Sequence, residues 1–414
     1  MTYRITKNDK VIKGIIHLTT SKSESNRVLI IQALCKDSFT INNLAKAKDT
    51  QTLQHLIELA KSNQNTVLDV GPAGTTMRFL AAYLAISEGE YLLTGSQRMK
   101  ERPMGILVDA LKVLGADIEY AEQNGFPPLR ILGTKLSGNT VGINGSVSSQ
   151  YITALLLIAP CLPNGLTLTL EEEVASRPYI EMTLKIMNYF GVESNWLGDT
   201  ISIQKQAYIA RDYTIEADWS AASYWFEIAA LAYDVDLTVT GLNRKSLQGD
   251  SSIANIMNAF GVNVQYTNEG IILTKEPNQK MSNAFSYDFS NCPDIAQTVA
   301  VTAAALNIKA ELSGLASLKI KETDRIRALI NELKKTGTTA IEEIENVLFV
   351  HPSNHLNQQP QLISTYKDHR MAMAFAPLAL ALDYIDIEHP SVVEKSYPAF
   401  WEDLKSVGFK ISEI

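Results

Sequence analysis

The strongest constraint on the fold is a pattern that recurs six times. A short polar motif precedes a helix-length run that is apolar on nearly every side. The runs start near Ser25 (SNRVLIIQALC), Gly74 (GTTMRFLAAYLA), Ser149 (SQYITALLLIA), Trp219 (WSAASYWFEIAALA), Pro293 (PDIAQTVAVTAAAL) and His369 (HRMAMAFAPLALAL), at spacings of 49, 75, 70, 74 and 76 residues. Helices of that composition belong inside a core. A β-rich stretch follows each one (SFTINNL, EYLLTG, LTLTL, LTVTG, KAELSG, YIDIEH). An amphipathic helix comes next, over Thr52–Lys61, Met104–Leu114, Tyr179–Phe190, Ser252–Phe260, Ile326–Lys335 and Ala399–Val407. Five of these six stop at a glycine (Gly115, Gly191, Gly261, Gly337, Gly408), and the first, ending near Asn63, does not. Self-similarity at this period implies one supersecondary unit used repeatedly.

The unit reads β-α-β-α-β-β. Six copies in 414 residues predict an α/β (α+β) fold of two domains with three repeats each. The strand-like N-terminus, Arg4–Leu18, leaves half a unit whose natural partner is the far end of the chain. The crossing points are expected near Thr20 and Ala217. One domain is then 20–218, and the other is discontinuous, 1–19 plus 219–414. If the three apolar helices of a domain run parallel, their N-termini share one face. Two such faces opposed make an anion-binding cleft, because free N–H groups and helix dipoles point outward there.

Composition narrows the function. A net charge of −8 argues against nucleic-acid or acidic-membrane binding, so any basic site is a local concentration. Three cysteines (Cys35, Cys161, Cys292) lie far apart without metal-ligand spacing, which suits a reducing compartment. The polar start MTYRITKNDKVIKG lacks a signal-peptide core, and the longest apolar run, Met371 to Leu382, is twelve residues, too short to span a bilayer. A cytoplasmic protein is expected.

The polar motifs concentrate charge. Lys321-Glu322-Thr323-Asp324-Arg325 opens the amphipathic run of Ile326, Leu329, Ile330 and Leu333. Such a block binds anions or sets a carboxylate beside cations; the plainer alternative is a solvated first turn with i,i+3 and i,i+4 ion pairs. Ser21 to Arg27 places Lys22 and Arg27 around hydroxyls, suiting phosphate or carboxylate, or serves as an N-cap with exposed charges. Gly71-Pro72-Ala73-Gly74 allows close backbone approach to a ligand, or is a turn; it is neither a P-loop nor a dinucleotide fingerprint. Arg98 to Pro103 is a basic loop. Ser146, Ser148, Ser149 and Gln150 offer hydroxyls and an amide to a sugar-like ligand, and Ser176 and Tyr179 sit before the next amphipathic helix. Asp294, Arg370 and Lys395 open the remaining helices. Together these describe a cleft for a polyanionic substrate pair, with Asp294 and Glu322 as two carboxylates among cations. The six histidines assemble no metal cluster and no Ser-His-Asp arrangement.

The blocks SKSESNR, GTTMRFL, RMKERP, VSSQ, SRPYIEM, PDIAQT, KETDR, DHRMAM and KSYPAFW stand in the order of the 5-enolpyruvylshikimate-3-phosphate synthase family, which the chain resembles from about Leu18 to its end. The resemblance implies an inside-out α/β barrel-like fold of six βαβαββ repeats, with the active site in the cleft between domains. It implies enolpyruvyl (1-carboxyvinyl) transfer from phosphoenolpyruvate to the 5-hydroxyl of 3-phosphoshikimate with loss of phosphate. That reaction lies on the shikimate pathway to chorismate and the aromatic amino acids. Carried over, 3-phosphoshikimate is held by Lys22, Ser23, Arg27, Ser148, Ser149, Gln150, Ser176, Tyr179, Asp294 and Lys321. Phosphoenolpyruvate is held by Lys22, Gly74, Arg98, Gln150, Arg325, Arg370 and Lys395. Asp294 is implied as the base and Glu322, helped by Lys22, as the acid. Neither cofactor nor metal is implied, and a monomer is expected. Thr19 and Thr20 replace a usual Pro-Gly, Pro72 a usual Asn, and Ser317 a common Asn, while Phe79 stands where Pro or Leu is common. These shape the pocket without removing a charge.

The nearest alternative is UDP-N-acetylglucosamine enolpyruvyl transferase, which shares the fold but uses a loop cysteine; Arg98 to Pro103 has none. A ring-shaped DNA clamp of six repeats conflicts with the acidic charge. A catalytically dead relative conflicts with the retained Lys22, Asp294 and Glu322.

Overall fold

The computed structural model describes residues 1–414 apart from 63, 64, 147, 173, 175, 277–280, 339 and 352–360. It divides into two compact units: Met1–Thr20 with Glu216–Ile414, and Ser21–Ile215. At the point where the chain leaves and re-enters the first unit, Thr20 and Ala217 form an isolated antiparallel bridge.

Five four-stranded sheets share one ordering among the described residues. Each has a parallel pair whose second strand is followed by two antiparallel neighbours. In the continuous unit these are Asn65–Asp69, Glu90–Thr94, Leu129–Leu132 and Asp117–Tyr120, and Thr140–Asn144, Leu166–Glu171, Thr200–Ile203 and Asn195–Leu197. In the discontinuous unit they are Val11–His17, Asp234–Thr240, Gly270–Thr274 and Asn263–Tyr266, then Ala284–Asp288, Lys309–Ser313, Val347–His351 and Ala340–Ile344. The last is Gln361–Ile363, Ile385–Glu388, Thr2–Thr6 and Lys410–Glu413. A sixth sheet is only the parallel pair Ile41–Asn42 and Tyr213–Thr214. Strand alternation explains the burial: Leu166, Leu168 and Leu170 are buried while the threonines between them are not.

The apolar runs form the helices Lys22–Leu34, Gly74–Ala85, Ser149–Ile158, Trp219–Leu231, Ala296–Ala305 and His369–Phe375. The last three pack on one another in the discontinuous unit, and the first three do so in the other. Trp219, Trp225 and Phe226 are wholly enclosed. Each such side chain contributes about 1.5–3 kcal/mol by leaving water. Among the described residues no helix is long and apolar enough to cross a membrane.

Several boundaries differ from expectation. The first helix begins at Lys22, not near Ser25, because the Ser21 hydroxyl caps it by accepting from the Glu24 amide. Pro293 opens a 3-10 turn, Pro293–Ile295, ahead of its helix. Pro377 lacks an amide proton, and the sixth helix passes into a 3-10 segment, Ala376–Leu380. Ser252–Phe260 is split into Ile253–Ile256 and a 3-10 turn, Met257–Phe260. The strand-like N-terminus holds two strands in different sheets, Thr2–Thr6 and Val11–His17. Of SFTINNL only Ile41–Asn42 is a strand. The first amphipathic helix runs Lys48–Ser62, and its expected end at Asn63 lies outside the described residues. The five glycine stops all adopt φ of 83–102°, the left-handed conformation that ends a helix without a Cβ clash.

Candidate active site

The Lys321–Arg325 block does more than start a helix. Asp324 is the N-cap, its carboxylate accepting from the Arg327 amide at 3.0 Å. That places Arg325 at the first helical position with its side chain turned inward, 2% exposed. Its three guanidinium nitrogens reach three carboxylates. Nε donates to Asp368 Oδ2 at 2.7 Å, Nη1 to Asp294 Oδ1 at 3.0 Å, and Nη2 to Glu322 Oε2 at 2.8 Å. Three further cations close the cluster. Arg370 Nη2 meets Asp294 Oδ2 at 2.9 Å, Lys321 Nζ lies 3.7 Å from Asp294 Oδ1, and Lys395 Nζ donates to Glu322 Oε1 at 2.6 Å. Asp368 also caps its own helix by accepting from the Arg370 amide at 2.9 Å. Arg370 donates to the Tyr224 hydroxyl at 3.4 Å. The Pro293 turn, the start of the His369 helix and Tyr224 of the Trp219–Leu231 helix therefore meet at one place.

Four cations against three carboxylates leave this cluster with one net positive charge. Buried ions persist only when each is paired and hydrogen-bonded. Burial pushes the Asp294 carboxyl up, but Arg370, Lys321 and Arg325 outweigh it and hold the group well below the usual carboxylate range. Burial works against the charged form of Arg325, yet Asp368, Glu322 and Asp294 raise its proton affinity above that of an ordinary arginine. The Tyr224 hydroxyl is raised by burial, against the pull of Arg370.

The other expected residues lie in the continuous unit. Lys22 Nζ is 3.4 Å from Asp49 Oδ2. Arg27 is buried, with Nε donating to the Thr183 hydroxyl at 2.8 Å, Nη1 to the Ser23 carbonyl at 2.6 Å and Nη2 to the Tyr179 carbonyl at 3.1 Å. Burial lowers its pKa to about 10. Ser148 caps the Ser149–Ile158 helix through the Gln150 amide at 3.3 Å, and the Gln150 side chain donates to the Thr75 hydroxyl at 3.1 Å. Ser149 is buried; Ser176 is buried too, in a left-handed conformation at the start of the Arg177–Tyr189 helix.

Arg98 and Arg102, in the same basic loop, are placed differently from each other. Ser96 caps the short Gln97–Lys100 helix, which turns Met99 inward and Arg98 outward. The Arg98 side chain is 46% exposed and pairs with Glu101 at 3.2 Å. The enclosed arginine of this loop is Arg102, 7% exposed. Its guanidinium lies against Gly74, so close that a Cβ there would sit 2.4 Å from Nη1. Its Nε is buried with no hydrogen-bond partner among the described residues. A buried guanidinium in that condition is a ready receptor for an anion. The Gly74-to-Arg102 approach had no signature in spacing, and neither did Asp49 beside Lys22. Asp368 could have been read from its place before His369-Arg370. Among the described residues no group of three or more His, Cys, Asp or Glu could hold a metal ion.

The family model for EPSP synthase (3-phosphoshikimate 1-carboxyvinyltransferase) matches residues 55–404. A 3-phosphoshikimate 1-carboxyvinyltransferase of Bacteroides fragilis is 48% identical over 401 residues, covering 97% of this chain and 96% of its own. One from Aliivibrio salmonicida is 37% identical over 426 residues, covering 96% and 97%. A solved structure of EPSP synthase from Acinetobacter baumannii aligns over 100% of both chains with a TM-score of 0.79 at 20% identity, a likeness of fold. The mixed α/β architecture, the extent of the family match and the identity to full-length relatives agree: this chain belongs to the EPSP synthase (3-phosphoshikimate 1-carboxyvinyltransferase) family.

Proposed function

We propose that this chain transfers the enolpyruvyl group of phosphoenolpyruvate to the 5-hydroxyl of 3-phosphoshikimate and releases phosphate. The observation that carries the reading is the Arg325 hub, where four cations hold three carboxylates in a mostly enclosed cluster. Phosphoenolpyruvate brings a carboxylate and a phosphate that compete for these same cations. Engagement of Arg325, Arg370 and Lys395 by the substrate frees the oxygens of Asp294 and Glu322 that now accept from them. A carboxylate whose donors have turned to the substrate is more basic for their loss, and so better able to take up a proton.

The chemistry then balances. Once the substrate anions have drawn its cations away, Glu322 takes up a proton and delivers it to C3 of phosphoenolpyruvate; C2 becomes electrophilic, and the 5-oxygen attacks C2 while Asp294 takes its proton. In the tetrahedral intermediate that results, C3 returns its proton to Glu322 as the C2–O bond to phosphate breaks, and the proton held by Asp294 leaves with the phosphate. The fixed cations stabilise the charge that gathers on the departing phosphate. Lys22, Ser23, Arg27, Ser148, Ser149, Gln150, Ser176, Tyr179, Asp294 and Lys321 are proposed for 3-phosphoshikimate. Lys22, Gly74, Arg98, Gln150, Arg325, Arg370 and Lys395 are proposed for phosphoenolpyruvate, and Arg102 is added because it is the enclosed arginine beside Gly74. Both groups of residues serve one pair of substrates in this reading.

The finer architecture is proposed alongside. Five sheets of one ordering and a sixth reduced to its parallel pair support six βαβαββ repeats, three per domain, in the inside-out barrel arrangement. A cytoplasmic monomer is the expected working form, checked by light scattering at the mass of one chain. UDP-N-acetylglucosamine as acceptor is disfavoured, since the basic loop carries no cysteine. The deciding assay is phosphate release from phosphoenolpyruvate with each acceptor in turn. Release with 3-phosphoshikimate alone is expected; release only with the UDP-sugar, or with neither, rejects the proposal.

A further inference from the structure

Beside the Asp294–Arg370 ion pair lies another carboxyl that the reaction above does not use. Asp250 stands in the 3-10 turn Gly249–Ser252 and is 3% exposed. The preceding Gln248 pins this turn to the start of the Trp219–Leu231 helix, accepting from the Trp219 amide at 2.9 Å and donating to the Ala217 carbonyl at 2.8 Å. Asp250 accepts a hydrogen bond from the Ser220 hydroxyl of that same helix. Charged groups within electrostatic reach include Asp218, the N-cap of the helix; Asp294, from the Pro293 turn; and Arg370, from the His369 helix. The Cys292 thiol also faces it, pushed up to about 12 chiefly by burial, and so does not ionise in the same range. Asp250 and Asp294 thus share the field of one guanidinium that a substrate anion must also use. An arriving anion makes it costlier for both to stay ionised.

We propose that Asp250 is a positioning residue for the phosphoenolpyruvate half-site, taking up a proton when the substrate anion engages Arg370. The neutral acid then adds no negative charge to the site and leaves Arg370 to the substrate. The proposal rests on the reading of this cluster as a phosphoenolpyruvate site. Burial first, then Asp294 and Asp218, push the Asp250 carboxyl up to about 7, while Arg370 and the Ser220 hydroxyl hold it down. An added anion raises its proton affinity further, so binding is coupled to proton uptake. The sign follows: phosphoenolpyruvate affinity falls as pH rises through about 7, because Asp250 must then be protonated at the expense of binding.

Asp250→Asn keeps the shape and fixes the neutral state. We expect the KM for phosphoenolpyruvate of this variant to match the unaltered enzyme within about twofold at pH 6. At pH 8.5 it should be about tenfold lower than that of the unaltered enzyme, one proton's worth of linkage. The KM for 3-phosphoshikimate should not follow this divergence. Ser220→Ala removes a donor that favours the charged form, so the pH at which KM rises should move upward. A constant ratio of the two KM profiles across pH, a higher KM for Asp250→Asn at every pH, or no displacement in Ser220→Ala would each overturn the inference. Absence of phosphate release by the unaltered enzyme would instead strike the functional reading on which it rests.

Discussion

Gly74→Ala is a single methyl group with opposite consequences for stability and for binding. The new Cβ would lie 2.4 Å from Arg102 Nη1, 2.8 Å from Cζ and 2.9 Å from Nη2. Non-bonded carbon contacts settle near about 3.5 Å, so the guanidinium must withdraw by about 1 Å. It is the far end of a flexible side chain, and the withdrawal costs the fold little. Gly74 opens the Gly74–Ala85 helix, where alanine is favoured by up to about 1 kcal/mol. The variant should therefore melt at or slightly above the temperature of the unaltered chain. Binding goes the other way. A displaced guanidinium forfeits a charge-assisted hydrogen bond to the substrate anion, about 1.5–3 kcal/mol. That corresponds to a KM for phosphoenolpyruvate raised roughly tenfold to a hundredfold. The KM for 3-phosphoshikimate should change by less than about twofold. Combining Gly74→Ala with Arg102→Ala should add little to either single change, because both remove the same contact. A KM for phosphoenolpyruvate within twofold of normal in Gly74→Ala, or fully additive effects in the double variant, would refute the placement of Arg102 at the anion.

Other perturbations test separate parts of the account. Glu322→Gln keeps the hydrogen-bonding shape but removes the transferable proton; turnover should fall by about a hundredfold or more while 3-phosphoshikimate binding, followed by titration, stays largely intact. Arg325→Met strands Asp294, Glu322 and Asp368 without their shared donor; a loss of about 3–5 kcal/mol in a denaturant titration is expected, along with loss of phosphoenolpyruvate binding. Glu227 is fully enclosed, and neither carboxyl oxygen has a hydrogen-bond partner among the described residues. Burial pushes its pKa well above the ordinary 4.5, so it is neutral when folded and ionises when unfolded. Stability is then lost as pH rises above about 4.5 toward the folded value. Glu227→Gln should raise the melting temperature at pH 8 and leave it nearly unchanged at pH 4; an equal difference at both pH values would contradict this.

What could be read in advance followed from local physics. Long all-round apolar runs must be buried, and six of them became helices with polar residues at their starts. Glycine stops were legible because a single residue decides them. Lys321, Glu322, Arg325, Asp294, Arg370 and Lys395 were legible as a set of opposite charges at helix starts, and the fold brings these six together. Arg98 and Arg102 were not separable: four residues apart in one basic loop, they are distinguished only by the short helix that Ser96 caps. The hydroxyl-rich block before Arg27 gave no hint that this side chain spends three donors on its own unit. Residues 4–18 read as strand-like, and the polar Asn8-Asp9-Lys10 turn, with Lys10 at φ 52°, divides them between two sheets.

The placement of Thr2–Thr6 has a consequence for biosynthesis. This strand lies between Ile385–Glu388 and Lys410–Glu413, antiparallel to both. On a ribosome, Ser21–Ile215 emerges as an uninterrupted stretch and can reach its native packing while translation continues. The Thr2–Thr6 strand must wait until Ile385–Glu388 and Lys410–Glu413 have been made before either neighbour exists. Nascent chains halted near residue 260 should thus carry a protease-resistant Ser21–Ile215 core and a still-cleavable Thr2–Thr6 segment, with protection of that segment arriving only once Lys410–Glu413 clears the exit tunnel.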